Sequence, residues 1–288
     1  MVPHETDSFA FGANLASNSF KDGVGTLTFD GPVTRVGQDA FERCRRLTGI
    51  AMPSSVTEIG RSAFEGCHNL KSVPIPEGVT AIGDFAFEGC ESLTTLTLPE
   101  GVRTIGEFAF EDCSNLTTIN LPDGIPAIGE NTFWDCYNLT GITIPESVTM
   151  IGDGAFYGCN KLTSLIIPES VTEIGGAAFG HCENLVSINL PNGITKIGDQ
   201  LFISCKSLTS ITIPEAVTKI GQSAFWLCEK LEAVYCKPTT PPHLVSATVF
   251  NDCSPNLTIY VPRDSYNAYT TATGYWSEYT SVIEAYDF

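Results

Sequence analysis

One spacing constrains this chain more than any other feature. Cys44, Cys67, Cys90, Cys113, Cys136, Cys159, Cys182, Cys205 and Cys228 recur every 23 residues without a slip. Three residues before each stands a Phe, from Phe41 to Phe225, and seven before it a Gly, from Gly37 to Gly221. Three residues after comes a Leu, from Leu47 to Leu231, and nine after a Pro, from Pro53 to Pro214. The unit reads L-x-x-I-x-I-P-x-x-V-T-x-I-G-x-x-A-F-x-x-C-x-x, and nine copies fill residues 24–230. Self-similarity at one fixed period marks a repeat architecture. A single unit holds about seven large apolar residues, each contributing roughly 1.5 to 3 kcal/mol when buried. Ordering it costs about 1.5 kcal/mol per residue, so no unit folds alone. Stacked units share their interiors, and the chain must coil as a solenoid stabilised by nearest neighbours.

Within the unit, residues 139–144 (LTGITI) alternate apolar and polar before Pro145, the pattern of a short strand with one face inward. Since every unit runs the same way, these strands stack into a parallel sheet, and the Pro ends each one. Val148 and Ile151 then point inward, and Gly152 is expected to let the backbone turn where a Cβ would resist. Ala155 and Phe156 open a short helical or 3₁₀ segment on the outer side, with Phe156 as the interior plug. The class is therefore an α/β repeat solenoid. Three regions are expected: an N-terminal cap over 1–23, nine repeats over 24–230, and degenerate repeats with a C-terminal cap over 231–288. Phe9, Phe11, Leu15 and Phe20 are available to cover the first coil. After residues 231–236 begin a further strand, residues 237–242 (KPTTPP) break the beat and move the next Phe-x-x-Cys to Phe250 and Cys253. A last strand over 257–262, a short helix over 265–272, and the rings of Trp276 and Tyr279 close that end.

The unit closely resembles the BspA-like class of leucine-rich repeats, and the match covers nearly the whole chain. Residues 236–242, 257–262 and 275–279 look like the C-terminal cap of such proteins from gut and oral Bacteroidetes, and residues 11–15 up to 28–32 like their entry segment. The resemblance implies a right-handed leucine-rich-repeat coil with the sheet on its inner face. It also implies display on the cell surface or secretion, with roles in adhesion or host interaction. The family supplies no shared catalytic residues. Residues 1–7 (MVPHETD) lack the basic start and apolar stretch of an export signal. No apolar run approaches the roughly 20 residues that cross a bilayer.

Composition narrows the partners. With 33 acidic against 15 basic residues the formal charge is -18, a field that repels nucleic-acid phosphates and anionic lipid and attracts basic surfaces. Catalytic constellations are missing. Residues 221–225 (GQSAF) place Phe where a nucleophile elbow needs its second Gly. Gly23 and Gly25 lack the third Gly of a dinucleotide loop. His4, His68, His181 and His243 lie far apart without metal-ligand spacing. The expectation is a protein that is no enzyme and takes no cofactor or metal. Eleven cysteines, an odd number, forbid complete pairing within one chain. A position repeating beside inward Phe and Leu is a core position, so the ladder reads as small buried fillers. Disulfides or a metal between coils are the alternative, with Cys236 and Cys253 set apart in the irregular cap.

Two surfaces are candidates for partner contact. On the outward strand positions stand Thr97, Thr118, Asn120, Thr143, Ser164, Ile166, Asn189 and Thr212, a nearly uncharged hydroxyl and amide face suited to wet contacts. Strand propensity alone equally accounts for the threonines. The residue after the inward Phe changes from Glu42, Glu65, Glu88 and Glu111 to Trp134, Tyr157, Gly180, Ile203 and Trp226. With Tyr137 these form a flank stripe of Trp134, Tyr137, Tyr157, Ile203 and Trp226. It is either a contact site or a set of side chains lying on the neighbouring coil. The acids after the Pro (Glu77, Glu100, Asp123, Glu146, Glu169 and Glu215) line up as a solvated row, with calcium bridging as the alternative. Arg35, Arg43, Arg45, Arg46 and Arg61 pair with Glu42, Glu58 and Glu65 or receive an anionic ligand. The expected function is a non-enzymatic binding and adhesion module for a protein or glycan, host-derived in the setting the family implies. Its alternative is a structural, self-associating surface component.

Overall fold

The computed structural model describes residues 8–288, with side chains from Ala10 onward. The chain forms two compact units, one ending at Pro145 and one running Glu146–Phe288. Each is a run of stacked coils.

Most coils carry two short parallel strand segments, the first reduced to a single bridge at Gly49, Ser72 and Gly141. The first comes from L-x-x-I. In the first unit Thr95–Leu96 pairs with Thr118–Ile119, and in the second Ser164–Leu165 pairs with Ser187–Ile188. The second segment comes from V-T-x-I. Glu58–Ile59 lies between Arg35–Val36 and Ala81–Ile82, followed by Thr104–Ile105, while Lys196–Ile197, Lys219–Ile220 and His243–Leu244 pair in the second unit. In both ladders register advances by 23 residues through the repeats, so Ile sits on Ile, with Ile59 and Ile82 buried and Ile105 half-buried. Side chains reinforce the ladders. Thr80 Oγ1 donates to the Thr57 carbonyl (3.3 Å) and Thr218 Oγ1 to Thr195 (3.2 Å), each one coil back.

Between the second strand and the Cys, the outer segment is a series of isolated 3₁₀-type turns. Ala63, Glu65 and Cys67 N–H groups bond three residues back, to Gly60, Ser62 and Phe64. The alternate N–H groups of Ser62, Phe64 and Gly66 bond across to the Asp84, Ala86 and Glu88 carbonyls of the next coil. This alternation puts a residue with positive φ at Ser62 (50°) and again at Gly66 (66°). It satisfies the backbone without a helix. The glycine of the I-G pair has a different task from the turn expected of it. A Cβ at Gly83 would sit 2.5 Å from the Arg61 nitrogen, and one at Gly221 2.5 Å from that of Asp199. Neighbouring coils approach too closely there for any side chain.

Aromatic stacking fills the interior. Phe64 and Phe87 lie 5.3 Å apart at 11°, Phe87 and Phe110 5.7 Å at 8°, and in the second unit Phe179 and Phe202 5.7 Å at 12°. All are fully buried.

The N-terminal end uses backbone to cover the first coil. Helix Ser8–Phe11 accepts Gly37 N–H at Ala10 O and Thr34 N–H at Phe11 O (3.0 Å). Phe11 is buried and meets Phe41 at 6.0 Å. Leu15 is half-buried and Phe20 is 68% exposed, so Phe20 does not cover the coil; the side chain of Phe9 lies outside the described residues. Val24–Phe29 turns back onto Leu15–Lys21 as an antiparallel hairpin.

At the other end a four-stranded sheet runs Ser210–Ile213, Ala233–Cys236, Thr258–Pro262, Ile283–Tyr286, all parallel. The helix Tyr266–Thr270 is shorter than the expected 265–272 and follows a 3₁₀ turn, Arg263–Ser265. Trp276 and Tyr279 lie on the 3₁₀ segment Gly274–Val282. Their polar ends satisfy the irregular loop: Trp276 Nε1 donates to Pro242 O (2.7 Å) and Tyr279 OH to Ala247 O (2.5 Å). Tyr279 also closes the phenylalanine stack, perpendicular to Phe250 at 5.3 Å.

Candidate functional site

The cysteine ladder lies in the interior. All eleven cysteines are free thiols, ten buried and Cys253 half-buried. Beyond Cys44 the ladder thiols are more than fillers. Cys90 Sγ donates to Phe64 O at 3.3 Å, Cys113 to Phe87 O at 3.2 Å, and Cys205 to Phe179 O at 3.1 Å. That carbonyl already accepts the Cys N–H of its own coil, as Phe64 O does from Cys67 (3.1 Å), so both its lone pairs are used. Cys253 keeps the bond, to Phe225 O, across the 25-residue step, whereas Cys236 faces the Tyr269 hydroxyl at 3.4 Å. Burial pushes the thiols of Cys67, Cys182, Cys236 and Cys253 up to about 12. They hold almost no thiolate at neutral pH and have no nucleophile to offer. Among the described residues no group of three or more His, Cys, Asp or Glu is placed to hold a metal ion.

Outward residues of the first ladder stand on the surface. Thr97, Thr118, Asn120, Thr143, Ser164 and Asn189 are exposed, Ile166 is 81% exposed, and Thr212 is half-buried. The two asparagines also hold coils together. Asn120 accepts Leu98 N–H (2.8 Å) and donates to Leu98 O (2.9 Å), and Asn189 does the same with Ile167. In the first unit a groove of about 520 Å³ opens where Pro74, with no N–H to give, occupies a strand position. Ser72, Thr95, Thr97, Glu77, Glu100 and Asn120 are among its walls.

The flank separates into packed and exposed members. Ile203 is only 8% exposed, and the Tyr157 ring and Ile203 Cγ2 close over Gly180, within 2.9 Å of where a Cβ would stand. Tyr157 also meets His181 at 4.9 Å. Trp134 is half-buried. Tyr137 in the first unit and Trp226 in the second are 44% and 38% exposed, and Trp226 Nε1 bonds Asp252 at 2.8 Å. An apolar stripe of five exposed side chains is therefore not present, because three of the five lie against their own unit.

Ahead of that flank, the carboxylates of the first unit crowd one another. Partial burial raises Glu111 to about 7, with Glu88, Asp112 and Asp135 adding repulsion. Burial likewise raises Glu88, beside Glu65 and Asp112. Arg43 offsets part of this, 3.2 Å from Glu42 and 3.9 Å from Glu65. Arg61 instead bonds Asp84 at 3.4 Å and lies over the Phe85 ring at 4.6 Å, pairings the residue pattern did not indicate. The acids that follow each Pro are all exposed.

This geometry, two short parallel ladders per 23-residue coil around a stacked core, is that of a leucine-rich repeat. The family model described as the BspA type leucine rich repeat region matches residues 34–163 and 126–258 in six copies, and the chain belongs to that family. The leucine-rich repeat protein of T. pallidum is 28% identical over 79% of this chain and 90% of that one, with a TM-score of 0.53. A leucine rich cell surface protein from Faecalibacterium prausnitzii A2-165 is 27% identical over 89% of each chain, at a TM-score of 0.41. The pneumococcal vaccine antigen PcpA shares the fold, at 19% identity over 83% of this chain and 66% of that one, with a TM-score of 0.53. No curated protein matches the chain. Repeats of this type are generally binding scaffolds. No helix among the described residues is long and apolar enough to cross a membrane.

Proposed function

We propose that this chain is a non-enzymatic binding and adhesion module, displayed on the cell surface or secreted, whose ladder face in each unit meets a protein or glycan partner. One observation carries the proposal. The residues projecting from the first ladder (Thr97, Thr118, Asn120, Thr143, Ser164, Ile166, Asn189 and Thr212) are mostly exposed hydroxyls and amides without a charge among them. Such groups make many weak, water-compatible hydrogen bonds, which suits a broad contact better than a catalytic cleft. Acids elsewhere keep the molecule soluble and repel nucleic acid.

The exposed rings Tyr137 and Trp226 support a second reading, self-association through the flank. In it Trp134, Tyr157 and Ile203 belong to the same flank at lower exposure. Immobilised chain is expected to retain a specific host protein or glycan at physiological salt, and to stay monomeric in light scattering. Concentration-dependent oligomers that Trp226→Glu dissolves, with no partner retained, would favour self-association instead.

A further inference from the structure

In the second unit the ladder face changes character at its C-terminal end. Register places Thr212, Tyr235 and Tyr260 side by side on successive strands. The Tyr235 and Tyr260 rings stack at 5.1 Å and 16°. Tyr286 lies across both, 5.5 Å from Tyr235 and 5.3 Å from Tyr260, with Phe288 against it at 5.1 Å. Tyr286 and Phe288 are 40% and 52% exposed, and the stacked pair is half-buried. One face of Tyr235 is taken by Tyr260. The opposite face stands over Thr212, the neighbour in register, whose short side chain cannot cover a ring. The ladder thus rises in one step from a hydroxyl floor, Thr212 and the exposed Ser210, to an aromatic wall.

We infer that this step is a saccharide subsite. A neutral pyranose would lay its apolar face on the free face of Tyr235 while its hydroxyls bond Thr212 and Ser210, the pairing of apolar wall and few polar groups that fixes small ligands. Charge decides the ligand class. A lysine or arginine over the ring would find no carboxylate to pair with in a charge-assisted bond, since none projects from Ser210–Ile213 or Ala233–Cys236. Glu284 lies in register with Tyr260, on the far side, and Asp287 is held by Arg263 through two 2.8 Å bonds. The net charge of -18 disfavours acidic sugars.

The inference rests on reading the ladder face as the binding face, and the test separates the two. The intact chain is applied to an array of neutral, acidic and cationic glycans, and the strongest neutral hit is titrated calorimetrically. Tyr235→Ala removes the wall, and Thr212→Trp fills the step while keeping the ring; thermal melts confirm that both variants fold. Both are expected to weaken binding by about tenfold or more, a loss of at least one anchor contact, with Lys196→Gln on the second ladder unchanged. Undiminished binding in either folded variant, displacement of the sugar by a lysine- or arginine-rich peptide, or the absence of any neutral hit would overturn the subsite. In each of those cases a partner lost on Thr143→Arg leaves the broader ladder-face reading standing.

Discussion

A thiol that gives its proton to the phenylalanine carbonyl one coil back explains why the ladder position is Cys rather than Ala. A small apolar residue fits the space, but only Cys also satisfies the second lone pair of that buried carbonyl. Burial of these positions was legible from their inward neighbours. The hydrogen bond was not, since a bond to backbone imposes no periodicity beyond that of the residue itself. The same limit applies to Asn120 and Asn189, whose amides close a backbone gap that no pattern announces. Glu111 gives a test at this scale. Its folded-state value of about 7 lies above the ordinary 4.5, so between those values the folded chain holds more protons than the unfolded one and stability falls as pH rises. Glu111→Gln removes that penalty. The variant is expected to be more stable than the parent by about 1 kcal/mol at pH 8, after discounting for partial exposure, and nearly equal to it at pH 4. Urea titrations at the two pH values check this, and equal effects at both would show that the carboxylate is ordinary.

Elements here are too short to stand alone. Most ladder strands are two residues long, and the coils are held by stacking of Phe, Ile, Leu and Val between neighbours. Phe179 lies between Phe156 and Phe202, 5.7 Å from each. Phe179→Ala removes a ring from both contacts and is expected to cost about 3 to 5 kcal/mol in denaturant unfolding. A loss below about 1 kcal/mol would mean the stack is not what holds the coils. Alternation in L-x-x-I-x-I made the first ladder readable. The second, in V-T-x-I, escaped as a strand because two residues cannot display alternation, although Val148 and Ile151 were legible as inward. Gly83 and Gly221 show the converse: the glycine was plain, and its cause was close approach of the preceding coil, a contact 22 residues back in the sequence.

For the whole molecule, the unbroken period carried the fold class and the family, because only stacked, equivalent coils bury such a repeat. What the chain meets at its surface was less legible. Function rests on side chains projecting away from the repeat contacts, and the aromatic step at Tyr235 arises only where the degenerate last coils stack in register. Contact through the ladder face is tested most directly by blocking it in both units at once. Thr143→Arg combined with Thr212→Arg puts two bulky cations on outward strand positions without touching the Phe or Cys columns. Affinity for the partner retained on immobilised chain is expected to fall by about tenfold or more, with the melting temperature unchanged. Full affinity in that variant, together with loss of binding in Trp226→Glu, would contradict the assignment and move the contact to the flank.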